Sequence, residues 1–228
     1  MTKIAVQDTK AIIDHLKEEM YLYEGLHDKI ISLITRDPVF KKHVHSYKSR
    51  FKDLDHLQQK ILRKNSEDAA LPEEKRKGPI TIDNVKQRIT DIAGIRILHL
   101  YQGQFSDLHN RIMKLVQEKE LALFEDPKAY TWDPEFSRFF EQLKLESHVK
   151  ESFYTSVHYV FKPRPDSNIT CEVQVRTLFE EVWGEIDHTF NYPEPSESIV
   201  VQEQLKVLAR LVGAGTRLAD SVFKLKEH

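Results

Sequence analysis

Two stretches of the chain alternate apolar and polar residues at every second position, and this alternation restricts the fold more than any other feature. They read YTSVHYVFK at 154–162 and ITCEVQVRT at 169–177, and the connector PRPDSN separates them. Alternation is typical of a half-buried strand, and two such runs joined by a short polar connector predict an antiparallel hairpin. The chain is therefore expected to build a sheet with one apolar face in the core and one polar face that can form the floor of a cleft.

Helical spacing dominates the rest of the sequence. Apolar residues recur at steps of three and four over about 7–35, and a second helical pattern continues over about 44–61. Further helices are predicted over about 82–89, 105–115, 178–190 and 201–222, and Asp133 followed by Pro134 predicts another helix start. The β-branched run at 92–100 predicts a buried strand, whereas 65–79 and the connector after the 105–115 helix are expected to be loops. This mixture predicts an α/β or α+β domain with helical ends.

The last predicted helix carries an apolar heptad stripe. The stripe consists of Val201, Leu205, Leu208, Val212, Gly215, Ala219 and Val222. It fits packing against the N-terminal helix and equally fits self-association.

Composition excludes several classes of protein. The chain has 228 residues, of which 40% are hydrophobic and 31% charged, and its net charge is −2, so it can form a core and has no overall attraction to nucleic acids. One cysteine cannot form an internal disulfide, the N-terminus lacks the apolar run of a signal peptide, and no apolar stretch approaches the ~20 residues that cross a bilayer. Neither glycine-rich nucleotide motif occurs, and the histidines lack zinc-ligand spacing. We expect a cytoplasmic protein without membrane contact, whose anion-binding site is local.

Cationic residues cluster at 49–64. We predict that one helix carries them and that positions 52, 56, 60 and 63 share a face. Phosphate binding requires such cations, because they neutralise the charge of a triphosphate. Taken alone, the cluster also fits an ordinary solvated helix face.

Two acidic residues lie in or beside strand patterns. Asp91 precedes the strand at 92–100, and Glu172 lies within the second strand of the hairpin. Carboxylates brought together from separate strands commonly hold Mg²⁺ on a nucleotide, because this ion prefers oxygen ligands. Each acid alone is also consistent with a helix cap or a surface ion pair.

The polar faces of the hairpin carry side chains suited to ligand binding. The second strand presents Glu172, Gln174 and Arg176, and the first presents Tyr154, Ser156 and His158, with Lys150 just before it. A tyrosine can stack on a base, a lysine can bind phosphate, and a histidine can orient a ligand. Cross-strand packing is the alternative interpretation. Cys171 alternates onto the apolar face, which predicts a core residue rather than a nucleophile.

Four separated motifs together resemble one family, the RelA/SpoT-type alarmone synthetases, and especially its small single-domain members. The motifs are Arg50, Lys52 and Lys60; DIAGIR at 91–96; Lys150, Tyr154, Ser156 and His158 in the pattern K-x3-Y-x-S-x-H; and residues 172–177 in the pattern E-x-Q-[IV]-R-T. A tail with Trp183, Asp187, His188, Asn191 and Tyr192 follows. Order and approximate separations agree over about residues 45–192, which makes the combination more specific than any one motif.

The resemblance implies a nucleotidyltransferase-like mixed β-sheet flanked by helices. It also implies transfer of the β,γ-pyrophosphate of ATP to the 3′-hydroxyl of GDP or GTP, giving (p)ppGpp and AMP. By position, Asp91 and Glu172 would be catalytic and would bind Mg²⁺, and the donor phosphates would be held by Arg50, Lys52, Lys60 and Arg96. The acceptor nucleotide would be held by Lys150, Tyr154, Ser156, His158, Gln174 and Arg176, with Tyr154 stacked on the base.

The same resemblance predicts the domain organisation. A synthetase domain at 45–192 would lie between helical extensions at 1–44 and 193–228, and the terminal helices would support a homo-oligomer. No metal-dependent hydrolase half with paired histidines and aspartates precedes the synthetase region. We therefore expect alarmone synthesis without breakdown.

Three departures from the family pattern keep other functions open. Phe153 stands where the family commonly has glycine, Thr155 replaces the following arginine, and His56 replaces a serine of the cationic motif. One alternative is a toxic relative that pyrophosphorylates the 3′ end of tRNA or an adenine nucleotide. Another is a nucleotide-binding regulator without turnover, against which the retained Asp91 and Glu172 count.

Overall fold

The computed structural model describes residues 3–192 and 194–226. Residues 1–2, 193 and 227–228, which belong to the predicted terminal extensions, lie outside the described residues. The helices are α1 (Lys3–Glu18), α2 (Met20–Arg36), α3 (Pro38–His43), α4 (Leu54–Ala70), α5 (Val85–Arg88), α6 (Gly103–Gln117), α7 (Pro134–Gln142), α8 (Leu178–Asn191) and α9 (Ile199–Lys226). The strands are β1 (Ser46–Phe51), β2 (Ala93–His99), β3 (Ala122–Leu123), β4 (Lys128–Thr131), β5 (Glu146–Val149), β6 (Ser156–Lys162) and β7 (Cys171–Thr177).

The described strands form one mixed sheet in the order β1-β2-β7-β6-β4-β5, with β3 paired to β6. β6 and β7 pair antiparallel, which confirms the predicted hairpin, and β7 runs parallel to β2. Mixed α/β architecture is also as predicted. Because paired residues point to the same side of a sheet, the register places one polar row across five strands: Lys48, Arg96, Gln174, His158 and Lys128.

The two faces of the sheet have different partners. Ile95, Val173 and Tyr159 alternate onto the apolar face and join the main hydrophobic core with residues of α1, α2 and α6. α8 packs against β2 and β7, and its carboxylates contact Arg96 and Arg176 of the polar face. The apolar face thus supplies the core, and the polar face together with α8 encloses the cleft described below.

The predicted helix over 44–61 is wrong in its first half. Residues 46–51 form the edge strand β1, antiparallel to β2, and α4 begins only at Leu54. The Asp53 carboxylate caps α4 by accepting the backbone N–H groups of Asp55 and His56, each at 2.9 Å. Apolar spacing misled the prediction, because Tyr47 lies on an edge strand and is exposed.

The correction moves the predicted phosphate-binding cations onto separate elements. Arg50 lies on β1, Lys52 follows that strand, and only Lys60 lies within α4. The predicted common face of positions 52, 56, 60 and 63 is only partly correct: positions 56, 60 and 63 lie on α4 at helical spacing, but Lys52 precedes the helix, and His56 and Arg63 are exposed to solvent. Lys52 and Lys60 nevertheless converge on the carboxylate of Asp91.

Other boundaries also differ from the predictions. The opening helix is two helices with a break at Glu19, and α4 continues through the first part of the predicted 65–79 loop, which then holds a 3₁₀ turn at Glu73–Lys75. The connector predicted as a loop contains β3 and β4, and β5 has no counterpart in the prediction. Strands of two to four residues contain too few alternations to be recognised from sequence.

The predicted final helix is confirmed as α9, but its buried face differs from the predicted stripe. The residues buried on α9 are Leu205, Ala209, Gly213 and Thr216. Its main packing partner is α8 rather than the N-terminal helix, and the Trp183 indole N–H donates to the Leu205 carbonyl at 3.1 Å. Among the helices that the structure describes, none combines the length and apolar character that a membrane-spanning segment requires.

Candidate active site

A cleft of about 630 Å³ opens between the polar face of the sheet and α8. Seven of the twelve predicted site residues line it: Arg50, Asp91, Arg96, Tyr154, Glu172, Gln174 and Arg176. Trp183, Asp187, His188, Asn191 and Tyr192 of the motif tail line it as well. The motifs, widely separated in sequence, therefore meet in one place.

Asp91 is the centre of a cationic cluster at one end of the cleft. It precedes β2, and its carboxylate forms an ion pair with Lys52 and accepts hydrogen bonds from Lys60 Nζ at 3.0 and 3.1 Å. Burial raises the pKa of Asp91, but Lys52 and Lys60 outweigh that effect and lower this pKa to about 2. Burial lowers the pKa of Lys52 to about 8, against the opposing effect of Asp91. At neutral pH the cluster holds a charged carboxylate between two ammonium groups.

Glu172 lies in the same cleft on β7. Its side chain accepts a hydrogen bond from Gln174 Nε2 at 2.6 Å. Burial raises the pKa of Glu172, and the nearby Asp91 raises it further, while the Gln174 hydrogen bond opposes the shift. A carboxylate with a raised pKa is a better proton acceptor than an ordinary one.

Tyr154 and His158 form a hydrogen-bonded pair beside Glu172. The Tyr154 hydroxyl lies 2.8 Å from His158 Nε2 and donates to Gln174 Oε1 at 3.4 Å, and the Arg176 guanidinium lies 5.7 Å from the centroid of the Tyr154 ring. Burial, with Arg176 and Lys150 nearby, lowers the pKa of His158 to about 3. His158 is therefore neutral at physiological pH and serves as a hydrogen-bonding group, not as a cation.

Of the predicted acceptor residues, Ser156 and Lys150 do not line the cleft, and Tyr154 lines it from a position outside the predicted strand. Tyr154 precedes β6 rather than belonging to it. Ser156 is buried, and its hydroxyl donates to the Val175 carbonyl at 3.4 Å, so it ties β6 to β7 and does not line the cleft. Lys150 is exposed at the sheet edge, where its Nζ lies 4.7 Å from the centroid of the Tyr130 ring.

Sequence patterns did not select Lys48 and Glu185, which line the cleft, or Glu181, which pairs with Lys48. Lys48 on β1 pairs with Glu181 of α8 at 2.8 Å, and Arg96 pairs with Glu185 of α8 at 2.7 Å. The sequence contains only weak indications of their role. Lys48 shares a strand face with Arg50, and Glu181 and Glu185 share a helix face at i and i+4.

Cys171 is buried on the core side of β7, as predicted. Burial raises the pKa of its thiol to about 12, so it is protonated and unreactive at neutral pH. Within residues 3–192 and 194–226 no group of three or more histidine, cysteine, aspartate or glutamate side chains is arranged to hold a metal ion. Asp91 and Glu172 both line the cleft, and two carboxylates there would suit an ion such as Mg²⁺ that takes its other ligands from water and phosphate.

Comparison with known proteins agrees with this geometry. Residues 49–197 match the family model described as the region found in RelA / SpoT proteins. The chain is 25% identical over 193 residues to GTP pyrophosphokinase YwaC of Bacillus subtilis (strain 168), covering 82% of this chain and 80% of YwaC.

Solved structures share the fold. A GTP pyrophosphokinase family protein from Streptococcus pneumoniae superposes with a TM-score of 0.64 at 18% identity, covering 92% of each chain. Small alarmone synthetase 1 from Bacillus subtilis, bound to its product pppGpp, superposes with a TM-score of 0.56 at 21% identity, covering 93% of this chain and 94% of that one.

Proposed function

This chain belongs to the RelA/SpoT family, and from that premise we propose that it transfers the β,γ-pyrophosphate of ATP to the 3′-hydroxyl of GDP or GTP, giving (p)ppGpp. In this reaction the 3′-oxygen bonds to the β-phosphorus of ATP. The bond from that phosphorus to the α,β-bridging oxygen breaks, and AMP leaves. The name of YwaC and the product bound to the Bacillus subtilis synthetase support the choice of reaction.

One observation carries the proposal: two carboxylates and several cations from separate elements converge in one cleft. Asp91 and Glu172 face it together with Arg50 and Arg96, and Lys52 and Lys60 are bonded to Asp91. Pyrophosphoryl transfer needs little covalent chemistry from a protein and depends on aligning the nucleophile and neutralising phosphate charge. The cleft offers carboxylates that can help to align the nucleophile and cations that can neutralise phosphate charge.

We assign the donor to the side of the cleft that carries the cations. Arg50, Lys52, Lys60 and Arg96 would bind the phosphates of ATP. A Mg²⁺ ion held by Asp91 and Glu172 would supply further charge neutralisation on those phosphates. Lys52 and Lys60 would then turn from Asp91 to the phosphate oxygens.

We assign the acceptor to the side that carries Tyr154. The Tyr154 ring would stack on the base, and Lys150, Gln174 and Arg176 would contact phosphate or sugar oxygens. His158 would hold the Tyr154 hydroxyl, and Ser156 would act through the backbone of β7. Glu172 would accept the proton of the 3′-hydroxyl, a role that its raised pKa favours.

A labelled-transfer assay tests the reaction and its acceptor. The purified chain is incubated with γ-labelled ATP, Mg²⁺ and, separately, GDP, GTP, ATP or tRNA. We expect label in a guanosine product with GDP or GTP. Label found only in tRNA, or only in an adenine nucleotide, would show that this molecule is the acceptor instead of GDP or GTP. Absence of transfer to all four candidate acceptors would favour a nucleotide-binding regulator without turnover.

Replacing Glu172 by Gln tests the site assignment. The change keeps size and hydrogen bonding but removes the charge and the basic oxygen, so transfer should fall at least about a hundredfold. Stability should be retained, because burial already disfavours the charged form of Glu172. Glu203→Gln is the matched control, since Glu203 is exposed on α9 and pairs only with Lys206 among the described ion pairs. Full activity in Glu172→Gln would refute the assignment.

We also propose the wider organisation of the protein. Residues 45–192 would form the synthetase domain, with extensions at 1–44 and 193–228, and the protein would act in the cytoplasm. The exposed side of α9 supports self-association through the terminal helices. It carries the solvent-exposed apolar residues Val207, Leu211, Leu218, Val222 and Leu225.

A further inference from the structure

Glu181 and Glu185 lie one turn apart on α8 and face cations from three strands. Lys48 Nζ lies 2.8 Å from Glu181 Oε1 and 3.4 Å from Glu185 Oε1. The Arg96 guanidinium lies 3.3 Å from Glu181 Oε1 and 2.7 Å from Glu185 Oε1. Arg176 forms an ion pair with Glu181. Two carboxylates are thus shared among three cations. Lys48, Arg96, Arg176 and Glu185 line the cleft, and Glu181 forms ion pairs with all three cations.

The two carboxylates differ in their exposure to solvent. The Glu181 side chain is 4% exposed, whereas that of Glu185 is 53% exposed. Arg176, the innermost cation, is 3% exposed. Glu181 therefore balances a charge that has no access to water, because unpaired buried ions are strongly disfavoured. The ion pairs of Glu185 exchange with solvent and are weak.

The cations on these carboxylates are the ones a nucleotide would need. Arg96 lines the cleft and is the direct cross-strand neighbour of Lys48. With both carboxylates in place, Lys48 and Arg96 have anionic partners before any phosphate arrives. A polyphosphate can replace the exposed carboxylate of Glu185 readily, whereas replacing Glu181 would leave Arg176 without its buried partner.

We propose that the two glutamates have separate tasks in binding the donor nucleotide. Glu181 is a positioning residue that fixes Arg96 and Arg176 at the wall of the cleft. Glu185 is a stand-in anion that occupies Lys48 and Arg96 in the empty cleft and yields them to the nucleotide phosphates. This inference rests on the proposed function, which identifies the nucleotide as ATP. The new element is that the Glu185 carboxylate competes with the nucleotide phosphates for Lys48 and Arg96.

Direct binding of adenosine 5′-(α,β-methylene)triphosphate, an analogue that cannot transfer pyrophosphate, tests the proposal without turnover. Calorimetric titration in Mg²⁺ compares the unsubstituted chain with Glu185→Gln, Glu181→Gln and the control Glu203→Gln. Glu185→Gln should bind about two- to fivefold more tightly, the range expected for removing an exposed competing ion pair. Glu181→Gln should bind at least about tenfold more weakly, because Arg96 and Arg176 lose their anchor. Glu203→Gln should bind like the unsubstituted chain.

The kinetic constants kcat and KM for ATP distinguish a positioning role of Glu181 from a general effect on stability. Glu185→Gln should lower the KM for ATP and leave kcat unchanged, whereas Glu181→Gln should lower kcat and raise this KM. If Glu181→Gln fails to fold, the Glu185→Gln arm still decides. Equal or weaker analogue binding by Glu185→Gln, or no binding by the unsubstituted chain, would overturn the proposal. Tighter binding by Glu185→Gln in a chain that transfers no label would support this inference while refuting the proposed reaction.

Discussion

Glu180 should make the stability of this protein fall as the pH rises. Its side chain is buried at the start of α8, where one carboxylate oxygen accepts the Thr177 N–H at 2.8 Å and the Thr177 hydroxyl. The other oxygen accepts the Thr216 hydroxyl of α9 at 3.3 Å. Thr177 and Glu180 thus form a capping box that also ties α8 to α9. Burial raises the pKa of Glu180 from 4.5 to about 7, and these hydrogen bonds oppose the rise without cancelling it.

The sign and the size of the effect follow from that pKa. A carboxyl with a raised folded-state pKa binds its proton more tightly in the folded chain, so the proton's stabilisation is complete below about pH 4.5 and is lost as the pH rises through about 7. The difference of about 2.5 pKa units corresponds to about 3 kcal/mol of unfolding free energy. Roughly 2 kcal/mol of this falls between about pH 5.5 and about pH 8.

Urea unfolding of the unsubstituted chain and of Glu180→Gln at these two pH values measures the effect. Glutamine keeps the shape and cannot ionise, so the difference in unfolding free energy between the two proteins should shift by roughly 2 kcal/mol in favour of Glu180→Gln at the higher pH. Glu203→Gln should show no such shift, because the Lys206 hydrogen bond lowers the pKa of Glu203, which is therefore ionised in the folded and the unfolded chain over this pH range. A difference between the unsubstituted chain and Glu180→Gln that stays constant across the range would refute the reasoning.

Two further variants, one single and one double, test the cleft and the exposed face of α9. A Cβ at Gly184 would lie 3.0 Å from Arg176 Nη1, so Gly184→Ala should displace this guanidinium and lower label transfer by about tenfold. The thermal unfolding midpoint should change little, because the ~1 kcal/mol by which alanine favours a helix over glycine offsets the disturbed ion pair between Arg176 and Glu181. Unchanged initial rates would contradict this close approach. Introducing Leu211→Glu and Leu218→Glu together should reduce the mass measured by light scattering to that of one chain, because charges would enter an apolar contact between copies; an unsubstituted chain that is already monomeric would contradict the oligomer.

The parts of the fold that could be predicted are those in which the spacing of apolar residues along the sequence indicates which side chains are buried. The hairpin of β6 and β7 and the strand β2 have one apolar face each, and α7 begins where Asp133 was expected to cap it, by accepting the Glu135 N–H at 2.8 Å. β1 was misassigned because an edge strand needs no buried alternation, and its register with β2 comes from hydrogen bonds that no local pattern encodes. The strands β3, β4 and β5 were missed for another reason: with two to four residues each, they contain too few alternations to be recognised.

Some residues of the site could likewise be predicted from the sequence, and others could not. Motif spacing selected Asp91 and Glu172, and the structure places both in one cleft. It did not select Lys48, Glu181 or Glu185, because a lysine and glutamates on exposed-looking positions resemble any solvated surface. Their importance becomes visible only when β1 and α8 are brought face to face, a contact between distant parts of the chain.

The departures at the acceptor end change the packing behind Tyr154 rather than the groups that line the cleft. Phe153 has a φ of 60°, the left-handed conformation that favours glycine, at a cost of about 1 kcal/mol for an L-residue. Its ring lies 4.9 Å from that of Trp132, and the Thr155 hydroxyl lies 3.0 Å from that of Thr131, so both side chains contact β4 or its flank. The backbone path of a glycine is therefore kept, with added contacts that offset its strain. With the acceptor base stacked on Tyr154 as proposed, base selectivity would depend on the groups around this ring, and Phe153 and Thr155 are compatible with a guanine there.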